Sequence, residues 1–273
     1  MKIGVIAPGS MGAAVAQRLH QRGAGVATTL EGRSAASGAR AKGLPVQPSE
    51  RALAEWADVV LSILPPGQAL NLARRLAPAL RGKTFADCNA VAPATVREIA
   101  AALPGVCFVD IGIIGGPPSG EGPGPRLYAS GEEAKSLAPL RDWGIDLRPI
   151  EGGIGAASAL KMSYAGITKG IIALGSAMAL GASAAGAAEA LRAELAASQP
   201  DVLRSLERGV PGMFDKAYRW VAEMEEISEF LGELPAAPIY QGAARLYEAI
   251  AADRAAPAAD GPVARLRGFY QRK

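Results

Sequence analysis

Between Lys2 and Ile111 short β-like runs alternate with helix-like stretches, and after Gly155 the alternation stops in favour of Ala-rich helical patterns that run nearly to the end. Alternation of that kind builds βαβ units on a parallel sheet, whereas uninterrupted helical periodicity builds a helical layer. The expected fold class is therefore α/β, a doubly wound parallel sheet over residues 1–154 followed by an all-α domain over residues 155–273. Strands are expected at Lys2 to Ile6, Gly25 to Thr29, Val59 to Leu64, Thr84 to Asp87 and Val106 to Ile111, with helices at Met11 to Arg22, stopped by Gly23, and at Gly67 to Leu80. The Pro- and Gly-rich stretch from Gly112 to Pro125 reads as a loop, and loops of that length in compact domains tend to carry function.

In the second half, a long helix is expected from about Ala156 to Gly186, others starting near Pro200 and Pro211, where proline suits a first turn, and another over Ala237 to Ala252. The basic tail from Arg265 to Lys273 is expected to be disordered. Gly170 through Ala188 contains no charged residue. Its Gly, Ala and Ser content gives a weak transfer energy, so a buried helix, apolar on all sides, is expected there and not a membrane span.

Composition excludes several classes. With 49% hydrophobic and 20% charged residues in 273, the chain can bury a full core, and a net charge of +3 leaves no basic stripe for nucleic acid. Cys88 and Cys107 lack a C-x-x-C spacing, which points to neither zinc nor disulfides, favours small core roles and fits the reducing cytoplasm. His20, the single histidine, has no partner pattern for a catalytic triad or a multi-His metal site.

The first strand runs directly into Ala7-Pro8-Gly9-Ser10-Met11-Gly12 and then a helix. That is the context of the Rossmann dinucleotide fingerprint, with Ala7 in place of its first glycine. Gly9 lets the backbone approach a pyrophosphate, Gly12 lets helix and strand pack closely, and the helix end offers free amides to the anion. Roughly 20 residues on, a Rossmann domain places the group that reads the adenosine ribose. Here Glu31 would accept from a free ribose and favour NAD, whereas Arg33 with Ser34 would hold a 2′-phosphate and favour NADP; NADP is the expected cofactor, NAD remaining possible.

From these residues the chain resembles the β-hydroxyacid dehydrogenase and 6-phosphogluconate dehydrogenase superfamily over about residues 1–185. Gly32-Arg33-Ser34 is similar to its Asn-Arg-Thr element, Asp58 to Pro65 to its Asp-Val-Val-x-x-x-Leu-Pro strand, and Asp87 to Pro93 to its turn near the nicotinamide. Asp110 to Gly116 is similar to its substrate loop. The resemblance implies that Pro8 to Gly12, Leu64, Pro65, Gln68, Asn89 and Ala90 line the cofactor, and that Ile114, Gly115, Gly116 and Pro117 meet the substrate. It also implies that Lys161, six residues after Gly155, is the proton-transfer residue. Departures stand at Tyr164 and Ala165, where a polar pair ending in Asn is expected, and at Ile114, where Ser is expected.

Hydride transfer to a carbonyl carbon needs a proton partner for the oxygen, and a lysine in an apolar cleft suits that role. On a helix Tyr164, Ala165 and Thr168 share a face with Lys161, so Tyr164 is a candidate helper and Ala165 and Thr168 candidate substrate contacts, while Lys169 is expected to be solvated. An oxidoreductase of small polar carbonyl or hydroxy compounds is expected, against an imine reductase or a non-catalytic NADP-binding sensor. The Gly/Ala-rich helix is expected to need a second subunit, giving a homodimer.

Overall fold

The structure, a computed structural model, describes residues 1–120, 122 and 124–271. The chain divides into two compact units, Met1–Lys161 and Met162–Lys273. In the first, β1 (Lys2–Ile6), α1 (Ser10–Gln21), β2 (Gly25–Thr29), α2 (Ala35–Arg40), β3 (Val46–Gln47), α3 (Glu50–Trp56), β4 (Val59–Ser62), α4 (Ala69–Leu80), β5 (Thr84–Asp87), α5 (Pro93–Ala101) and β6 (Cys107–Ile114) follow one another. Then come β7 (Arg126–Ser130), a 3-10 stretch (Glu132–Trp143) and β8 (Asp146–Pro149). The eight strands lie in the order β3-β2-β1-β4-β5-β6-β7-β8, parallel except where β7 runs against β6. The first six give the 3-2-1-4-5-6 order of a Rossmann sheet.

Both faces of the sheet are buried, which is what a parallel sheet with helices on each side requires. Ile3, Val5, Val59 and Leu61 point to one core with Val15, Leu19, Leu137 and Leu140. Their strand neighbours Ile6 and Val60 point to another with Leu53, Leu72, Leu76, Phe85 and Ile99. Each fully buried Leu or Ile contributes roughly 1.5–3 kcal/mol of transfer free energy.

The stretch read as a loop from Gly112 begins instead as the last three residues of β6, paired to β7 at Gly112, Ile113 and Ile114. Glycine at 112 hid the strand because it weakens the β signal. The reason for that glycine lies elsewhere, since a Cβ there would land on the Ala157 carbonyl oxygen. Glu121 and Pro123 of the expected loop lie outside the described residues.

The helix α6 (Ala156–Ala184) crosses the division between units, and α7 (Ala188–Ser198), α8 (Pro200–Met213), α9 (Ala217–Leu231), α10 (Ala237–Ala255) and α11 (Pro262–Tyr270) complete the second unit. No helix starts at Pro211: α8 runs through it, because Leu203, Leu206, Val210 and Met213 form one buried stripe and the proline falls in the last turn. The tail expected to be disordered is helical up to Tyr270, with Leu266, Phe269 and Tyr270 buried; Arg272 and Lys273 lie outside the described residues. Lys169 is also not simply solvated, pairing with Glu223 and lying over the Trp220 ring.

The expectation that the apolar part of α6 is buried on all sides fails. Ile167, Ile171, Leu174 and Met178 are 62%, 47%, 64% and 56% exposed, although by length and composition this helix could cross a membrane. Its opposite side is packed, with Gly166 and Gly170 admitting the Tyr240 ring, Gly175 admitting Leu206, and Ala173, Ser176 and Ala179 buried. The helix is amphipathic in a way that small residues conceal, because Gly and Ser pack against neighbours while Leu and Ile stay outside.

Candidate active site

The turn from β1 into α1 is tight. Ala7 donates its amide to Ile63 O at 3.0 Å and accepts from Gly9 N at 2.8 Å, and a Cβ on Gly12 would land on the Ala7 carbonyl oxygen. No non-glycine residue in the described chain has a positive φ, so alanine is tolerated where the fingerprint has its first glycine. Pro8 is buried, Ser10 is exposed, and Met11 packs against the core.

No side chain caps α1 and no acidic residue lies in its first turn. The next two helices are capped conventionally, α2 by Ser34 accepting from Ser37 N and α3 by Ser49 accepting from Ala52 N. The first-turn amides of α1 are thus presented, with the positive dipole end, beyond the carboxyl ends of the central strands, the position at which open α/β sheets bind ligands.

Beyond the end of β2, Arg33 is an enclosed ion-pairing residue. Its Nη2 donates to Glu50 Oε1 at 2.7 Å, and Arg75 Nη2 donates to Glu50 Oε2 at 2.8 Å. Glu31 accepts from the Glu50 amide at 2.8 Å. Arg33 Nε is buried without a hydrogen-bond partner among the described residues.

A second polar group crosses the middle of the sheet. Ser62, Asp87, Asp110 and Ser130 are register partners on four adjacent strands, and all are at most 1% exposed. Ser130 Oγ, Gly155 N and Ser158 N donate to Asp110 Oδ2 at 3.0, 3.0 and 3.1 Å, and Ser158 Oγ donates to Oδ1 at 2.7 Å. Asp110 therefore fixes the first turn of α6, one turn ahead of Lys161. Gly112, two residues along the same strand face, leaves room for that helix, a Cβ there lying 3.2 Å from Lys161 Cβ.

Asp87 lies beside Asp110 and accepts from Asn89 Nδ2 at 2.5 Å through Oδ1, while its buried Oδ2 has no partner among the described residues. Burial pushes its carboxyl up to about 7, the negative charge of Asp110 adding to the rise and the Asn89 hydrogen bonds and the Lys161 ammonium drawing it back. Burial likewise raises the Cys88 thiol, with Lys161 acting in the opposite direction. Lys161 thus acts on the end of β5 as a positive charge.

Asn89 is 2% exposed and its amide is committed: Nδ2 also donates to Ser62 Oγ at 3.0 Å, and Oδ1 accepts from Leu64 N at 2.8 Å. It positions the loops after β4 and β5, leaving the second lone pair of Oδ1 for any nicotinamide contact. Leu64 and Ala90 are half-buried, whereas Pro65 and Gln68, at the ends of a short 3-10 turn, are exposed. Ile114 is half-buried at the end of β6; Gly115, Gly116 and Pro117 are exposed, and Gly115 has a φ of +122° that favours glycine.

Tyr164, Ala165 and Thr168 belong to the second unit. Tyr164 is 49% exposed, Ala165 is buried, and the Thr168 hydroxyl is spent on the Tyr164 carbonyl at 2.9 Å. His20 is exposed, and Cys107, unlike buried Cys88, is only half-buried. Reading the sequence missed the structural tasks of Ser62, Ser130, Ser158, Glu50 and Arg75. The one available signal was the pair of aspartates, Asp87 and Asp110, each the fourth residue of its strand.

An uncapped helix end with a glycine-dependent approach at Gly12, and an arginine with an orphaned buried donor beyond β2, fit a dinucleotide. They define the first unit as a nicotinamide-nucleotide-binding domain. Residues 2–138, half of the chain, match the NAD binding domain of 6-phosphogluconate dehydrogenase, and the chain belongs to that family. Residues 182–250 match a domain of unknown function, DUF1932.

An uncharacterised 28.5 kDa protein of Methanothermus fervidus is 29% identical over 176 residues, 64% of this chain and 68% of that protein. A solved conserved protein of unknown function, described as structurally similar to 3-hydroxyacid dehydrogenases, is 30% identical with a TM-score of 0.75, over 95% of this chain and 100% of that one. A 3-hydroxyisobutyrate dehydrogenase of Mycobacterium tuberculosis, 19% identical over 98% of each chain, has a TM-score of 0.73. An imine reductase of Myxococcus stipitatus, 20% identical over 98% of each, has one of 0.60; these last two share the fold. The chain is an NAD(P)-dependent dehydrogenase or reductase.

Proposed function

We propose that the chain is an NADP-preferring oxidoreductase of small polar carbonyl or hydroxy compounds, of the hydroxy acid, semialdehyde or sugar acid type, in which Lys161 exchanges the proton at the substrate oxygen. When bound, the nicotinamide supplies or takes up the hydride. The first-turn amides of α1, from Ser10 to Gly12, hold the pyrophosphate, with Gly9 leaving the approach open. Arg33 and Ser34 hold the 2′-phosphate, while Leu64, Pro65, Gln68, Asn89 and Ala90 follow the remaining length of the cofactor.

The observation that carries this reading is the way the fold fixes Lys161. Its helix is tied by Asp110 through Gly155 and Ser158, and the bare Gly112 lets it stand close over β6. Both contacts act on the backbone at the start of α6, and so set where Lys161, one turn on, stands over β6. Lys161 gives a proton to the oxygen as a carbonyl is reduced and takes it back in the reverse direction. The exposed amides of Gly115 and Gly116 suit an anionic substrate group, and Ile114 in place of a hydroxyl makes that side of the pocket more apolar.

Tyr164, next along α6, is proposed as the helper of Lys161, with Ala165 and Thr168 toward the substrate. The exposed stripe Tyr164, Ile167, Ile171, Leu174 and Met178 recurs at alternating intervals of three and four residues, the spacing of a helix–helix seam. We infer that a second copy covers it in a homodimer. Two free thiols accord with a cytoplasmic site of action.

The test is NADPH consumption against a panel of small aldehydes, keto acids and imines. Turnover of an oxygen-bearing carbonyl that falls at least about a hundredfold in Lys161→Ala, with NADPH affinity kept, is expected for a general acid. Full activity in that variant refutes the assignment, and turnover of imines alone transfers the chain to the imine-reducing class.

A further inference from the structure

Resting on the NADP reading above, we propose that Glu50 sets how strongly the chain discriminates NADP from NAD, its carboxylate competing from inside the fold for the guanidiniums that a 2′-phosphate needs. The geometry is that of an anion held between two cations. Each oxygen of Glu50 takes one guanidinium, Arg33 at 2.7 Å and Arg75 at 2.8 Å. Arg33 and Glu50 have side chains only 16% and 13% exposed, whereas Arg75 is 59% exposed.

Arg33 is therefore held in place, and Arg75 closes the arrangement from the solvent side. The Glu50 amide is tied to Glu31, which brings the second carboxylate of the neighbourhood against the same turn. Counting Glu31, Glu50, Arg33 and Arg75, the cluster is electroneutral.

A ribose carrying a free 2′-hydroxyl meets this cluster without disturbing it and can use Glu31 as acceptor. A ribose carrying a phosphomonoester does disturb it, because its dianion must share Arg33 and Arg75 with the Glu50 carboxylate and lie near a second carboxylate, Glu31. The buried Nε of Arg33 is a donor that Glu50 leaves unused and that a second acceptor on the same guanidinium would satisfy. The 2′-phosphate thus gains two guanidiniums and the orphaned donor, and loses what it costs to share them with Glu50. Discrimination is moderated by a residue that need not touch the cofactor when NAD is bound.

Glu50→Gln keeps the side-chain length and the backbone tie to Glu31 and removes the competing charge. Fluorescence titration with NADPH and NADH is expected to show NADPH bound about tenfold more tightly than in the wild type and NADH within about threefold of it, the NADPH gain shrinking as salt is raised. Adenosine 2′,5′-bisphosphate, competing against NADPH, is expected to follow the same change, which places the effect at the adenosine end. Arg75→Ala, at a side chain 59% exposed, is expected to weaken NADPH several-fold and leave NADH unmoved.

An unchanged NADPH-to-NADH ratio in Glu50→Gln, or a loss of NADPH affinity there, overturns the proposal, the latter because Glu50 would then be ordering the arginines for the phosphate. Equal effects on both nucleotides in Arg75→Ala also overturn it. A wild-type chain that binds neither nucleotide is a different failure, removing the cofactor reading and this inference together.

Discussion

Replacing Asp87 by Asn is expected to stabilise the protein, increasingly as pH rises from about 4 to about 7 and fully above that. Asp87 is buried beside Asp110, with one oxygen accepting from Asn89 and the other unpartnered. Its carboxyl is pushed from 3.8 up to about 7. The folded chain therefore keeps this proton until about pH 7 while the unfolded chain releases it near pH 4, so the folded state binds more protons in between. Stability accordingly falls as pH rises through that window, and above it the whole difference is felt.

Three units at about 1.36 kcal/mol each give about 4 kcal/mol. The amide that replaces the carboxyl leaves one buried N–H group unsatisfied, at about 1 kcal/mol. At pH 8.5 the variant should be the more stable by about 3 kcal/mol, a rise in Tm of roughly 6–12 °C, and near pH 4.5 the two should melt nearly together. Thermal melts followed by circular dichroism at both pH values read this directly. A variant that melts below the wild type at pH 8.5, or a gap that does not widen with pH, refutes the account of this buried pair.

Asp110→Asn should act in the opposite sense, because three donors now served by one carboxylate oxygen would meet a neutral amide; a loss of about 2–4 kcal/mol in urea denaturation is expected, and an unchanged midpoint would contradict the cap of α6. Leu174→Glu, at a position 64% exposed on the α6 stripe, should convert a dimer to a monomer in light scattering without lowering helicity, and an unaltered mass would place the subunit contact elsewhere.

The strands that repeat as short apolar runs between helices were legible from residue order alone, with β1, β2 and β5 falling on their expected residues. Strands β7 and β8 were not, since Arg126–Ser130 and Asp146–Pro149 follow a Gly- and Pro-rich stretch and are joined by a 3-10 segment without helical periodicity. Glycine misled twice. At Gly112 it interrupts the β pattern because a helix backbone needs the space, and along α6 it sits on the packed side and so disguises which side is exposed. The glycine turn, Arg33 and Lys161 stood out because their residue types are chemically demanding at fixed spacings. Glu50, Arg75, Ser62 and Ser130 did not, since each acts through a partner far away in the chain, and ordinary surface spacing is all the sequence reveals of them.

Heteronuclear NMR of the labelled chain titrated with NADPH tests the central claim most directly. The backbone amides of Ser10, Met11 and Gly12 should show the largest saturable shifts, with a second group at Arg33 and Ser34. Saturable shifts centred elsewhere, or no saturable shift at millimolar NADPH, would contradict a pyrophosphate held at the amino end of α1.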